Sequence, residues 1–562
     1  MRVIWLLQVL FASALGASCL HRGQRAADDG FLMVNISYGT LRGKVDSTPS
    51  VPVAKFLGIP YAKPPTGPLR FKAPVTPDKW NGVRDALTVG NECLQKDIPL
   101  FNFQKITPKR SEDCLFLNVF SPTQRNSQTP LPVMVWIHGG AYVIGSGSQF
   151  DVTSLATKGV VLVSLNYRLD VFGFLSTEDN TLPGNYGMLD MIAALQWVKE
   201  NIAYFGGDPN MVTIFGESAG AGAVSLLTLS PLANGLFQRA VMESGVSLCP
   251  WSIDYPGNRV SSRMIARLTS QVAQCDDLNN PKALLSCLQQ VDANKLLNAS
   301  IAISNALEVG ITSLTPRVET TFGFLPESPA TLLSKGKISH VDTIRGFNSD
   351  EIGLFANVFS KSPPVQFSEK VARQVIGEQL QQFTKRDQEK LLKVLTSTFL
   401  TNTSSSDVLR RASLDARDNF SFVGPTIVEL DYVVRNVPDK KHYLYEFSHR
   451  PSFSKSPPWM SAIHVDELFY VFDVQEKRFT DKGFGPPDAV DILVSQQMME
   501  MWTNFAKTGN PTSTVPTGGA MWSQYLSPTA PHYLFINSES KLRLWSQSDV
   551  ADVSRKVLDV LE

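Results

Sequence analysis

Phe205-Gly-Gly-Asp-Pro-Asn-Met-Val-Thr-Ile-Phe-Gly216-Glu217-Ser218-Ala219-Gly220 reads as a strand, an abrupt turn and a helix, with a serine at the apex. Met211 to Phe215 is β-prone and the small residues from Ala219 onward open a helix, so the chain must reverse at Ser218. Gly216 and Gly220 lack a Cβ and leave room for a serine on strained backbone. A hydroxyl lifted clear of a sheet in this way is a candidate nucleophile. The amide of Ala219, at the helix N-terminus, is a candidate donor to a developing oxyanion.

A serine hydroxyl is a poor nucleophile until a base takes its proton, and the base needs a third group to orient its ring. On a strand–turn–helix scaffold of this kind the chain order is serine, acid, histidine. The histidines are His21, His138, His340, His442, His449, His464 and His532. His138 and His340 precede the best acid candidates, and His21 sits in the N-terminal leader region. His442 and His449 flank the strand-like Tyr443–Phe447, and His532 follows a polar turn. His464 follows the loop Lys455–Ser461 and precedes the apolar Leu468–Phe472, so it can project from a loop toward a strand edge and is the expected base. Asp350 and Glu351 share a turn expected over Arg345–Gly353, after the β-type run His340–Ile344, and spacing does not separate them. Trp136-Ile-His-Gly139-Gly140-Ala141-Tyr142 runs a strand into paired glycines, so Gly140 and Ala141, with Ala219, are the expected oxyanion donors and Gly139 supports them.

These groups need a scaffold. Lys55–Tyr61, Leu131–Ile137, Gly159–Leu165 and Met211–Phe215 are β-type runs, the last three mainly apolar and suited to burial on both faces. Between the last two, Ile192, Leu195, Val198 and Ile202 mark one helix face, and Asp208-Pro209 breaks the pattern. Alternating strands and helices imply a parallel sheet with right-handed crossovers, whose carboxyl edge binds ligand. Residues 251–440 read as mostly helical, including an amphipathic stretch over Lys370–Leu380. A helix is expected over Asp488–Lys507, capped by Asp488, striped by Val490, Val494, Met498, Met501 and Phe505, and stopped by Gly509-Asn-Pro511.

The 562 residues carry 52 basic and 52 acidic side chains, which leaves no field to recruit nucleic acid. Residues 1–18 have the charged start, short apolar run and small residues of a secretory signal, and no later stretch reads as membrane-spanning. Residues 19–562 are then expected to be one large domain that leaves the cell, a monomer or weak homo-oligomer. Sequons at Asn35, Asn298, Asn402 and Asn419 fit export. Export also permits disulfides, and Cys93 with Cys114 and Cys275 with Cys287 would each close a short loop. Cys249 has no evident partner, and cysteine spacing and few histidines argue against a metal site. No cofactor is expected.

Taken together, these residues resemble the type-B carboxylesterase and cholinesterase family of α/β-hydrolases. The resemblance covers Phe56–Ala62, Glu112–Val119, His138–Ala141, Asn166–Leu169, Gly184–Asp190, the serine block and Trp502–Pro511. It implies a large, mostly parallel central sheet flanked by helices, with helical insertions after the nucleophile region. It places the nucleophile on Ser218, the acid on Glu351, the base on His464, the oxyanion donors on Gly140, Ala141 and Ala219, and a supporting carboxylate on Glu217. It implies the same two disulfides. Ala141 and Val465 stand where glycine is usual, and Phe101–Arg110 lacks the tryptophan with which cholinesterases hold a quaternary ammonium. The expected activity is hydrolysis of a small-molecule carboxylic ester through an acyl-enzyme. The alternatives are a non-catalytic adhesion protein on the same scaffold, and lipase or choline-ester specificity.

Overall fold

The strand Leu131–Ile137 shows why the sheet lies at the centre. Val133, Val135 and Ile137 face one way into one apolar cluster, Met134 and Trp136 face the other way into a second, and none is more than 1% exposed. Side chains alternate across a strand, so an unbroken apolar run needs cover on both faces. The computed structural model describes residues 30–561 except 98–107, 125–128, 256–257, 276, 278–279, 309–313, 356–364, 401–404, 476–484, 514–518, 530 and 546–547. The expected signal segment, Cys19 and His21 therefore lie outside the described residues.

Among the described residues the main sheet has 13 strands. Val161–Leu165, Leu131–Ile137, Gly207–Glu217, Arg239–Glu243, Asp342–Asn348, His442–Phe447 and His532–Ile536 run parallel in that spatial order. Antiparallel Phe116–Pro122 and Lys541–Leu544 flank this parallel block. Leu131–Ile137 pairs on one side with the next long strand of the chain, Val161–Leu165, and on the other with Gly207–Glu217. Strand order reverses at that point, so the loops leaving Ile137 and Glu217 border a crevice. Ile137 lies opposite Gly216, Glu217 opposite Glu243, and Glu243 opposite Gly346, which brings the carboxyl ends level.

The helix Ala219–Leu229, buried throughout, starts hard against the neighbouring strand. A Cβ on Gly220 would lie 2.1 Å from the Ile137 carbonyl oxygen, and one on Gly216 would lie 2.6 Å from the same atom. Two backbones can approach this closely only where side chains are missing. Both expected disulfides are bonded, Cys93–Cys114 and Cys275–Cys287, with Cα separations of 4.9 and 5.8 Å. Cys249 is free and buried.

Three details differ from the sequence reading. The strand continues through Arg345 to Asn348, where a turn was expected, because buried Arg345 finds Glu429 at 3.1 Å from the helix Gly424–Asn436. Leu468–Val471 is a helical turn. In the helix Ala489–Thr508, Val490 is 39% exposed and leaves the buried stripe, while Asp488 caps the helix by a reciprocal pair of hydrogen bonds with Asp491 and Gly509 ends it at φ 69°.

Gly220→Ala forces a methyl into a backbone carbonyl, and the expected loss of unfolding free energy is about 3 kcal/mol, read from urea unfolding midpoints. A change below about 0.5 kcal/mol would mean that the helix start is free to move away.

Candidate active site

Ser218 ends the strand Gly207–Glu217 and precedes the helix, with φ 56° and ψ −125°. A non-glycine residue there is strained, and the neighbours fix it. Its N–H donates to the Glu243 carbonyl at 2.9 Å, and its own carbonyl accepts from the Gly222 N–H at 2.9 Å. Ala219 is the first residue of the helix and is fully buried behind the serine.

Across the crevice, the loop after Ile137 holds Gly140, Ala141 and Tyr142 at φ 99°, 53° and 61°. Successive residues of this kind turn peptide N–H groups toward one concavity. Gly140 has no room for a side chain, since a Cβ would meet the Ile144 carbonyl oxygen at 2.2 Å. Its carbonyl accepts from the N–H groups of Val143 and Ile144, both at 3.0 Å. His138 braces the same loop. Its Nδ1 donates to the Gly139 carbonyl at 2.8 Å, its ring stacks on Tyr167, and burial lowers its pKa to about 4.

His464 Nδ1 lies 2.6 Å from Glu351 Oε2, and Glu351 Oε1 accepts the Asn348 N–H at 2.7 Å. Glu351 opens the 3₁₀ turn Glu351–Leu354 and is fully buried. Asp350 points elsewhere, pairing with Arg411 and accepting the Ser461 N–H. The structure thus brings Glu351 rather than Asp350 to the imidazole. Phe355 and Phe422 flank the ring at centroid distances of 5.1 and 5.0 Å. Other described histidines are engaged away from the crevice: His442 with Thr343 and Val437, His449 with Asp491, and His340 near Asp439 at the surface.

The far nitrogen of His464 faces a carboxylate: Nε2 lies 3.1 Å from Glu217 Oε1. Ser218, His464 and Glu217 line one cavity of about 90 Å³ with Gly139, Gly140 and Ala141. Its apolar walls include Ile144, Phe150, Val465 and Leu468, and Glu92, Lys96 and Arg110 add charge. Expected nucleophile, base, acid and oxyanion-loop residues therefore meet at one crevice.

Sequence reasoning missed two further carboxylates behind this site. Glu467 accepts from Ser244 Oγ at 3.0 Å and from Asn348 Nδ2, and Glu243 accepts from Trp502 Nε1 at 3.0 Å. Four buried glutamates around one imidazole cannot all be ionised. Burial and the charge of Glu467 hold Glu243 well above the usual carboxylate range. Burial and Glu351 push Glu467 to about 7, against the pull of His464. Glu217 rises to about 8: burial raises it, His464 opposes, and Glu467 and Glu351 add to the rise. Burial alone would lower His464, but Glu217 and then Glu351 outweigh it and raise the ring to about 9. Glu217 Oε1 makes no hydrogen bond within the described residues, so its contact with Nε2 acts through charge. The spacing of Glu467, three residues after His464 near a helical turn, was an available signal; Glu243 and Phe422 offered none.

Of the sequons, Asn35 and Asn298 are exposed, and Asn402 lies outside the described residues. Asn419 is 5% exposed within the π-helical turn Asn419–Val423, so a glycan on it would have to thread an enclosed space. That position does not suit the expected modification.

The family model described as the Carboxylesterase family matches residues 31–552. Carboxylesterase 5A of Canis lupus familiaris is 34% identical over 566 residues, covering 97% of this chain and 92% of the relative. Acylcarnitine hydrolase of Mus musculus is 36% identical over 481 residues, covering 82% of this chain and 80% of the relative. Cocaine esterase of Homo sapiens is 37% identical over 483 residues, with the same two coverages of 82% and 80%.

Removing the charge at position 217 removes support for the imidazolium. In Glu217→Gln the His464 ring, followed by NMR, is expected to titrate lower than in wild type by about 1 pH unit or more. An unchanged or higher midpoint would show that Glu217 does not support the imidazolium.

Proposed function

The chain belongs to the carboxylesterase family of α/β-hydrolases and is an ester hydrolase; on that premise we propose that it works through an acyl-enzyme on Ser218, with His464 as base and Glu351 as the acid that orients it. The observation that carries this reading is the strained serine sharing one cavity with an imidazole whose Nδ1 is held by a buried carboxylate at 2.6 Å.

Ester binding places the carbonyl carbon against Ser218 Oγ. In the neutral form of the ring, its proton on Nδ1 toward Glu351, His464 Nε2 turns from Glu217 to the hydroxyl and takes its proton as the C–O bond forms. The negative oxygen is held by N–H groups of Gly140, Ala141 and Ala219, donors that are worth about 3 kcal/mol each when preorganised. The imidazolium gives its proton to the departing alkoxide, leaving an acylated Ser218 and free alcohol. Water repeats the sequence and releases the acid. Glu351 stabilises the imidazolium without taking its proton. Glu217 offers the cation a second resting partner, so Glu217 favours the protonated ring between turnovers. The serine, the imidazole and its buried carboxylate partner are all present, which favours catalysis over a binding-only protein on the same scaffold.

The reading extends to location and modification. Two bonded disulfides suit a secreted or lumenal chain, and no described helix is long and apolar enough to cross a membrane. Removal of residues 1–18, a single domain over 19–562 and glycans on exposed Asn35 and Asn298 complete the proposal.

With a short p-nitrophenyl ester, Ser218→Ala is expected to lower kcat by about 10⁴-fold or more, and only wild type is expected to take up an organophosphonate covalently at residue 218. Equal rates in the two proteins would overturn the assignment. The base must be neutral to act and its pKa is raised to about 9, so kcat/KM is expected to fall with decreasing pH from a midpoint above the free-histidine value of about 6.5. A midpoint below that value would mean that the two carboxylates do not stabilise the cation in the working enzyme.

A further inference from the structure

Val465 follows the base directly and stands at φ 79°. β-Branched residues are the least tolerant of the left-handed region, where glycine is at ease. The strain is fixed by the turn, since the Val465 carbonyl accepts the Leu468 N–H at 3.0 Å. The side chain is not idle there. It packs on the apolar cluster that holds Trp136, Phe150 and Leu468, and all four of these residues line the cavity that contains Ser218 and His464. A strained conformation persists where the surroundings over-determine it, and such outliers gather at binding sites.

We propose that Val465 sets the size of the alcohol portion of the ester that the enzyme accepts. The proposal rests on the acyl-enzyme reading above. His464 Nε2 must reach the departing oxygen to protonate it, so the wall carried on the base's own loop borders the leaving group. The carbonyl oxygen belongs instead to the loop of Gly140 and Ala141, on the other side of the crevice. The isopropyl group therefore occupies space that a bulky alcohol would need, and the acyl portion is untouched by it. Val465 lines this cavity of about 90 Å³ beside the base, so shortening its side chain widens the wall there.

The test compares wild type, Val465→Ala and Val465→Gly on two series: butyrate esters of methanol and benzyl alcohol, and p-nitrophenyl esters of acetic and benzoic acid. Ratios of kcat/KM on one preparation are independent of the folded fraction, so a less stable variant remains informative. The benzyl-to-methyl ratio is expected to rise about tenfold or more in Val465→Gly and by less in Val465→Ala, while the acyl ratio stays within about twofold. An active enzyme whose alcohol ratio stays within about twofold of wild type in both variants, or whose acyl ratio shifts instead, overturns the role of Val465 alone. A wild type that hydrolyses none of the esters overturns the mechanism on which the proposal stands.

Discussion

The reversal of the chain at Ser218 is the constraint on which the remaining geometry depends. A serine at φ 56° is held there because its N–H, its carbonyl and both flanking glycines are committed to neighbours. Gly216 and Gly220 let the helix Ala219–Leu229 begin within contact of the Ile137 carbonyl, which ties the serine turn to the strand that feeds Gly139–Ala141. Because strand order reverses between those same two strands, their loops face one another across the crevice. Backbone strain, sheet topology and the site are thus one arrangement. The surrounding core supplies the rigidity, with Trp136, Trp197 and Trp502 among its largest fully buried side chains.

Electrostatics adds a second layer. A single imidazole sits among Glu217, Glu243, Glu351 and Glu467, all buried, and a low-dielectric surround makes each ionisation depend on the others. Glu351 is held as acceptor by the Asn348 N–H and by the ring, which suits its proposed role in orienting the base. Glu217 Oε1 lies 3.1 Å from Nε2, on the side of the ring where the serine stands. On the proposed mechanism, the ring has to turn away from that carboxylate before the serine can be activated.

Much of this was legible in the residues because it is local. Leu131–Ile137 forms a strand over the span its apolar run indicated, and the turn at Ser218 follows from glycines at fixed offsets. Chain order and loop context singled out His464. The choice between Asp350 and Glu351 was not local: it is decided by Arg411 and the Ser461 amide, which capture Asp350 from other elements. Arg345 misled for the same reason, since its strand is rescued by Glu429 from a helix far along the chain. Val490 fits the apolar period of its helix yet lies in the first turn, where the core no longer covers it. The buried carboxylates Glu243 and Glu467 look like surface residues until tertiary structure encloses them. The resemblance blocks are positions of this kind: Arg168 in one and Asp190 in another meet as a buried pair with contacts of 2.7 Å.

The central claim is that the His464 ring, oriented by Glu351, passes from Glu217 to Ser218 when an ester-like group occupies the crevice. A crystal structure of the organophosphonate adduct tests it most directly. The claim predicts phosphorus on Ser218 Oγ, the phosphoryl oxygen accepting from the Gly140, Ala141 and Ala219 amides, and Nε2 within about 3.2 Å of an oxygen on phosphorus. An adduct in which Nε2 still rests on Glu217, with no oxygen of the adduct within reach, would contradict it.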